Sequence, residues 1–149
     1  MSVRGPDTGR GCEAAGERAA NKPFLNLKLT SDRLAVCRLA PDEKIPQRAL
    51  TGVGFSSVTH TADELSLVCA ESAVPQGIHC EPGWRLFKIE GPLDFALTGI
   101  LAAVAQPLAE AGVSIFTIST YETDYVMVKD QDVEKAVLAL AAAGHRVTR

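Results

Sequence analysis

Two short stretches of the chain carry groups that could hold a small charged molecule. Thr98-Gly99 stands just before an apolar run at helical spacing, so Thr98 reads as an N-cap, and Gly99 leaves backbone N–H groups open at the positive end of a helix. A carboxylate is favoured there. Asp124 lies in a polar stretch between two strand-like runs and is not followed by a glycine turn, so it could receive an ammonium or guanidinium group through a charge-assisted hydrogen bond. Together the two positions would match the two ends of an amino acid.

Each residue also has a plain structural reading. Thr98 can serve as an ordinary cap and Asp124 as a solvated turn residue. Ser119 and Thr120 suit a strand, and Tyr121 and Tyr125 suit a core or its rim. His60 has no acid or nucleophile at diagnostic spacing, so it reads as a strand histidine, and Asp63-Glu64 as a solvated turn. His79-Cys80 offers two metal-binding types, but neighbours on a strand point to opposite faces and no second ligand pair has zinc spacing. An enzyme would need Cys69, His79 and Asp63 to converge, and no G-x-S-x-G, P-loop, H-E-x-x-H or dinucleotide fingerprint occurs. The expectation is therefore no catalytic residue, no metal and no cofactor. Two readings remain: a small-molecule binding module without chemistry of its own, or a protein-interaction and dimerisation module without a functional ligand pocket.

The elements that must position these residues are legible around Gly91–Lys129. Leu101, Val104, Leu108 and Ala111 recur at three- or four-residue steps and predict a helix over Gly99–Ala111, closed by Gly112 as a left-handed C-cap. Val113–Thr120 and Tyr125–Val128 then read as the two strands of a hairpin. With a strand over Trp84–Ile89, a helix over Asp132–Ala143 and a last strand over His145–Thr148, the order becomes βαββαβ, the ferredoxin-like arrangement. Upstream, Phe24–Leu29 and Leu34–Leu39 read as two strands separated by the turn residues Thr30-Ser31-Asp32. Pro41 to Leu50 has room for only a turn or two of helix. A sixty-residue offset sets Gly52-Val53 over Gly112-Val113, Val58-Thr59-His60-Thr61 over Ile118-Ser119-Thr120-Tyr121, and Leu67-Val68 over Met127-Val128. The pattern predicts one motif occurring twice, the first copy with shortened helices.

Gly99-Ile100-Leu101-Ala102 and Leu108-Ala109-Glu110-Ala111-Gly112-Val113-Ser114-Ile115 resemble the helix signature of ACT domains, small modules that commonly bind amino acids. Over residues 24–149 the pairing of His60–Val68 with Ser119–Val128 resembles small bacterial tandem-ACT proteins related to CASTOR-type arginine sensors. That resemblance implies an α+β fold of two ferredoxin-like ACT units sharing one antiparallel sheet with helices on one face. It further implies an effector held by Thr98, Gly99, Ile100, Ser119, Thr120, Tyr121 and Asp124, with an amino acid or similar zwitterion as ligand, although arginine itself need not carry over. The expected divisions are 1–22 as a disordered leader, 23–82 as a degenerate first unit and 83–149 as the second.

Composition, 46% hydrophobic, agrees with a folded protein. The leader has almost no large apolar residue to repay its ordering entropy. A net charge of −3 on 149 residues provides little basis for binding a phosphate backbone, and no apolar run is long enough to span a bilayer, so neither nucleic acid nor membrane is an expected partner. The expected location is the cytoplasm. Cys12, Cys37, Cys69 and Cys80 form no C-x-x-C pair and read as reduced thiols, Cys37 and Cys69 being buried in strands. A sheet covered by helices on one face only leaves the other seeking cover, which predicts a homodimer.

Overall fold

The computed structural model describes residues 22–94 and 96–149, so Cys12 and all of the expected leader except Lys22 lie outside the described residues. It is an α+β fold: β1 (Asn26–Leu39), α1 (Gln47–Thr51), β2 (Ser57–His60), β3 (Leu65–Ala70), β4 (His79–Ile89), α2 (Ile100–Glu110), β5 (Ile115–Ser119), β6 (Asp124–Lys129), α3 (Val133–Ala142) and β7 (Arg146–Thr148). The sheet runs β2-β3-β1-β4-β6-β5, and β7 lies parallel to the start of β1 through Asn26–Lys28.

β1 is one strand of 14 residues where the turn-forming Thr30-Ser31-Asp32 predicts two. Those polar residues satisfy one another instead of reversing the chain. The Thr30 hydroxyl donates to Asp32 Oδ2 at 2.7 Å and accepts the Asp32 N–H at 3.3 Å. Arg85 on β4 donates to the carbonyls of Thr30 and Asp32 at 3.2 and 3.3 Å, so these two acceptors of the bulge are paired. The β1–β4 register shifts between Leu29 and Arg33 and again between Leu34 and Val36. β4 starts five residues before the expected Trp84. Its unpromising Glu81-Pro82-Gly83 is held from outside, because Glu71 accepts the Gly83 N–H at 2.7 Å and Lys129 donates to the Pro82 carbonyl at 2.8 Å.

That register places Cys37 opposite Cys80, and the two form a disulfide rather than the reduced thiols expected. Cys69 is the free cysteine among the described residues, buried as predicted, and burial pushes its thiol pKa up.

α2 and α3 end alike. In each, the N–H of the glycine bonds three residues back and the next N–H five back: Gly112 to Ala109 and Val113 to Leu108, Gly144 to Ala141 and His145 to Leu140. Both glycines have positive φ, 69° and 94°, as this paired C-cap requires. Val113 is spent in the cap, and β5 begins at Ile115 instead of the predicted Val113. The two helices bury Ile100, Val104, Leu108, Val133, Ala136 and Leu140 against Leu27, Phe87, Ile89, Val126 and Val128 of the sheet. At the other end α1, only five residues long as Pro41 and Pro46 imply, covers Cys37, Leu67 and Cys69 with Ala49.

The opposite face does not lie open, as the premise for a dimer had it. Leu34, Val68, Leu86 and Met127 are at most 3% exposed. Phe55, Phe116, Ile118 and Tyr125 pack over them, and the curled sheet brings the Phe55 and Tyr125 rings to 4.8 Å. Asp32 anchors this fold-over by accepting the Phe55 N–H at 3.4 Å. An added Cβ at Gly54 would sit 2.5 Å from its carboxylate.

In the middle of the sheet Arg33 and Arg85 stand opposite each other. Asp130, in the 3₁₀ turn after β6, receives both at 3.1 Å, and Glu71, in the matching turn after β3, lies 4.0 Å from Arg33. The Arg85 hydrogen bond, aided by the charge of Arg33, holds the Asp130 carboxyl below its ordinary value.

Candidate functional site

The loop leading into α2 meets the turn between β5 and β6. The turn is built by threonines: Thr120 bonds back to the Thr123 carbonyl through its N–H at 2.8 Å and through its hydroxyl at 2.9 Å. Thr123 is buried, and its hydroxyl donates to the Ile89 carbonyl at the end of β4. From the other side, Leu93 donates its N–H to Glu122 O at 2.8 Å. Gly91 lets these segments close up, since a Cβ there would stand 2.9 Å from Leu93 N and 3.2 Å from Glu122 O. Loop and turn are thus pinned together before any ligand arrives.

Between them lies a cleft of about 240 Å3. Leu93, Asp94 and Leu97 line it from the loop, Ile100 from the first turn of α2, and Ser119 through Asp124 from the hairpin. Of the seven predicted binding residues, Ile100, Ser119, Thr120, Tyr121 and Asp124 meet in this lining, while Thr98 and Gly99 lie outside it. Thr98 is not the N-cap. Gly99 takes that position with φ 76°, a conformation that favours glycine, and among the described residues no side chain caps the helix. The first intrahelical bond runs from Ala103 N–H to Gly99 O, so the preceding amides have no intrahelical acceptor.

Asp94 and Glu122 were missed by sequence reasoning. With Asp124 they put three carboxylates on the cleft and, among its lining residues, no cation. Such a lining attracts an ammonium or guanidinium group. A register signal was available. The hairpins pair His60 with Leu65 and Ser119 with Asp124, fifty-nine positions apart rather than sixty. At that offset Thr61 falls on Thr120, and Thr61 closes its own turn by donating to Glu64 O. The sixty-residue alignment had set Thr61 over Tyr121 and so hid the shared threonine turn.

His60 bonds the Pro41 carbonyl at 3.0 Å, and Cys80 is in the disulfide. Among the described residues no helix is long and apolar enough to cross a membrane.

Comparison with known proteins gives three findings. A family model of the ACT domain matches residues 79–142, and a model of a second family's N-terminal domain matches residues 32–77. A bovine protein named cytosolic arginine sensor for mTORC1 subunit 1 is 31% identical over 98 residues, which are 58% of this chain and 30% of that protein. The human protein CASTOR3P is 27% identical over 83% of this chain and 85% of its own length. The chain therefore spans under a third of the bovine sensor it matches. A crystal structure of an Agobacterium tumefaciens protein superposes with a TM-score of 0.80 at 41% identity, covering 85% of this chain and 93% of that one. The regulatory subunit of aspartate kinase from Thermus thermophilus shares the fold, with a TM-score of 0.57 at 17% identity over 78% of this chain and 96% of its own.

Proposed function

Because the chain is an ACT-domain protein resembling the CASTOR-type arginine sensors, we propose that it is a non-catalytic regulatory protein that binds an amino acid or similar zwitterion. The effector lies in the cleft between the loop before α2 and the β5–β6 turn. Asp124, with Asp94 and Glu122 beside it, takes the cationic group. The open amides that begin α2, behind Ile100, take the carboxylate, with Thr98 and Gly99 setting the entry of the helix. Ser119, Thr120 and Tyr121 wall the ligand from the hairpin.

The observation that carries this reading is the pairing, in one cleft, of three carboxylates with an uncapped helix start. The acidic lining favours a cationic side chain, and the name of the bovine relative makes arginine the first ligand to try. A thermal-shift screen of the proteinogenic amino acids tests it. A ligand at a hundred times its dissociation constant stabilises by about 2.7 kcal/mol. Basic amino acids are expected to raise the melting temperature most; a flat screen would favour the interaction-module reading instead.

Two further proposals belong with this one. The chain is read as two ACT-like units, 23–82 and 83–149, an assignment supported by the repeated threonine turns and by family models that meet near residue 78. We also place it in the cytoplasm as a homodimer. The location follows the bovine relative's name. Leu97 and Tyr121, exposed at the cleft, would gain cover from a second copy. Sedimentation well above micromolar concentration should show the dimer, and a monomer there refutes it.

A further inference from the structure

Across the helix-free face from the disulfide end, Lys28 on β1 and Lys88 on β4 are register partners, so their side chains rise side by side from one face of the sheet. Both are exposed, and neither forms an ion pair among the described residues. Like charges set directly opposite destabilise a sheet, so this pair weakens the fold that carries it. It is also a local exception in a chain of net charge −3.

The two lysines line a cavity of about 650 Å3 that shares no lining residue with the effector cleft. Thr30 and Ser31 of the β1 bulge wall it, and the Ser31 hydroxyl makes no hydrogen bond among the described residues. Arg149 closes the far end, its charge shared with Glu134. Glu90 is the one carboxylate in the lining. Two lysines outside any ion pair and an arginine shared with Glu134, against one lining acid and with a spare hydroxyl, are the reverse of the acidic effector cleft.

We propose that this cavity is a second ligand site, specific for a small molecule with a compact dianionic head, either a phosphate or a pair of carboxylates. Lys28 and Lys88 each donate to the head, which neutralises their mutual repulsion, and Ser31 donates a further hydrogen bond. The two sites sort ligands by charge: a dianion is repelled by Asp94, Glu122 and Asp124, and a cationic amino acid by the paired lysines. The site does not depend on the effector reading.

The test is calorimetric titration of the full chain with inorganic phosphate and, separately, succinate, at constant ionic strength. Saturable binding of at least one is expected; phosphate alone identifies a phosphate ester as the natural chemistry, succinate alone a dicarboxylate. Lys28→Ala and Lys88→Ala should each weaken binding roughly tenfold or more, as loss of a charged hydrogen bond does. In low-salt buffer without either anion, both lysine variants should melt no lower than wild type because a repulsion has been removed. Non-saturating heats with both anions, or full affinity in the lysine variants, would overturn the proposal.

Discussion

Asp130 shows how a single side chain can tie the middle of this sheet together. It receives Arg33 and Arg85, each at 3.1 Å, and its lowered pKa means that the folded state favours the ionised form. A depressed folded value contributes stability that is fully present above the ordinary carboxylate pKa and is lost as pH falls through the folded one. Asp130→Asn should therefore lower the melting temperature at pH 7, and the gap from wild type should close in strong acid; a gap independent of pH would contradict this. Gly91→Ala is expected to cost about 1–3 kcal/mol in denaturant unfolding, since its Cβ would press on backbone atoms that cannot rotate away. Residues of the cleft that sit on α2 or the hairpin were legible, Ile100, Ser119 and Asp124 among them, because local periodicity fixes those elements. Asp94 and Glu122 were not. What brings them together is the bond from Leu93 to Glu122 and the burial of Thr123 under Ile89, contacts between segments far apart in the chain.

Among the elements, α2 carries an internal proline, and its partner is the end of another element. Pro107 has no N–H to give Ala103 O four residues back, and the buried His145 ring, delivered by the C-cap of α3, supplies Nε2 to that carbonyl at 3.0 Å. The hydrogen bond fixes the proton on Nε2 and leaves Nδ1 buried without a partner among the described residues. His145→Ala should destabilise by about 1–3 kcal/mol, because a buried carbonyl is left unpaired. Pro107→Ala restores an intrahelical donor, so the double variant should recover part of that loss; strict additivity in chemical denaturation would rule out the compensation. None of this was visible as pattern, since apolar spacing predicts α2 whether or not it contains proline. β1 failed for the converse reason: Thr30-Ser31-Asp32 has the chemistry of a turn, and only β4, through Arg85, converts it into a bulge.

For the molecule as a whole, long-range register decided what the chain pattern could not. Cys37 and Cys80 are separated by 43 residues, and their pairing follows from a β1–β4 register that crosses two irregularities. Reduction of that bond should lower stability by about 2–4 kcal/mol, measurable as a drop in melting temperature with reductant; no change would show that the bond is not closed in solution. The curl of the sheet likewise brings Phe55 to Tyr125, and their packing fills a face that period-two alternation could only mark as apolar. The order of strands and helices, by contrast, was readable from alternation and glycine punctuation, and it sets α2 beside the hairpin whose acids define the cleft. Whether that cleft takes a cationic amino acid is decided most directly by calorimetry on wild type and Asp124→Asn with the best ligand from the screen. The account predicts binding weakened by about 1.5–3 kcal/mol, roughly ten- to more than a hundredfold, with the melting temperature of the free protein unchanged. Equal affinity in the two proteins would contradict it.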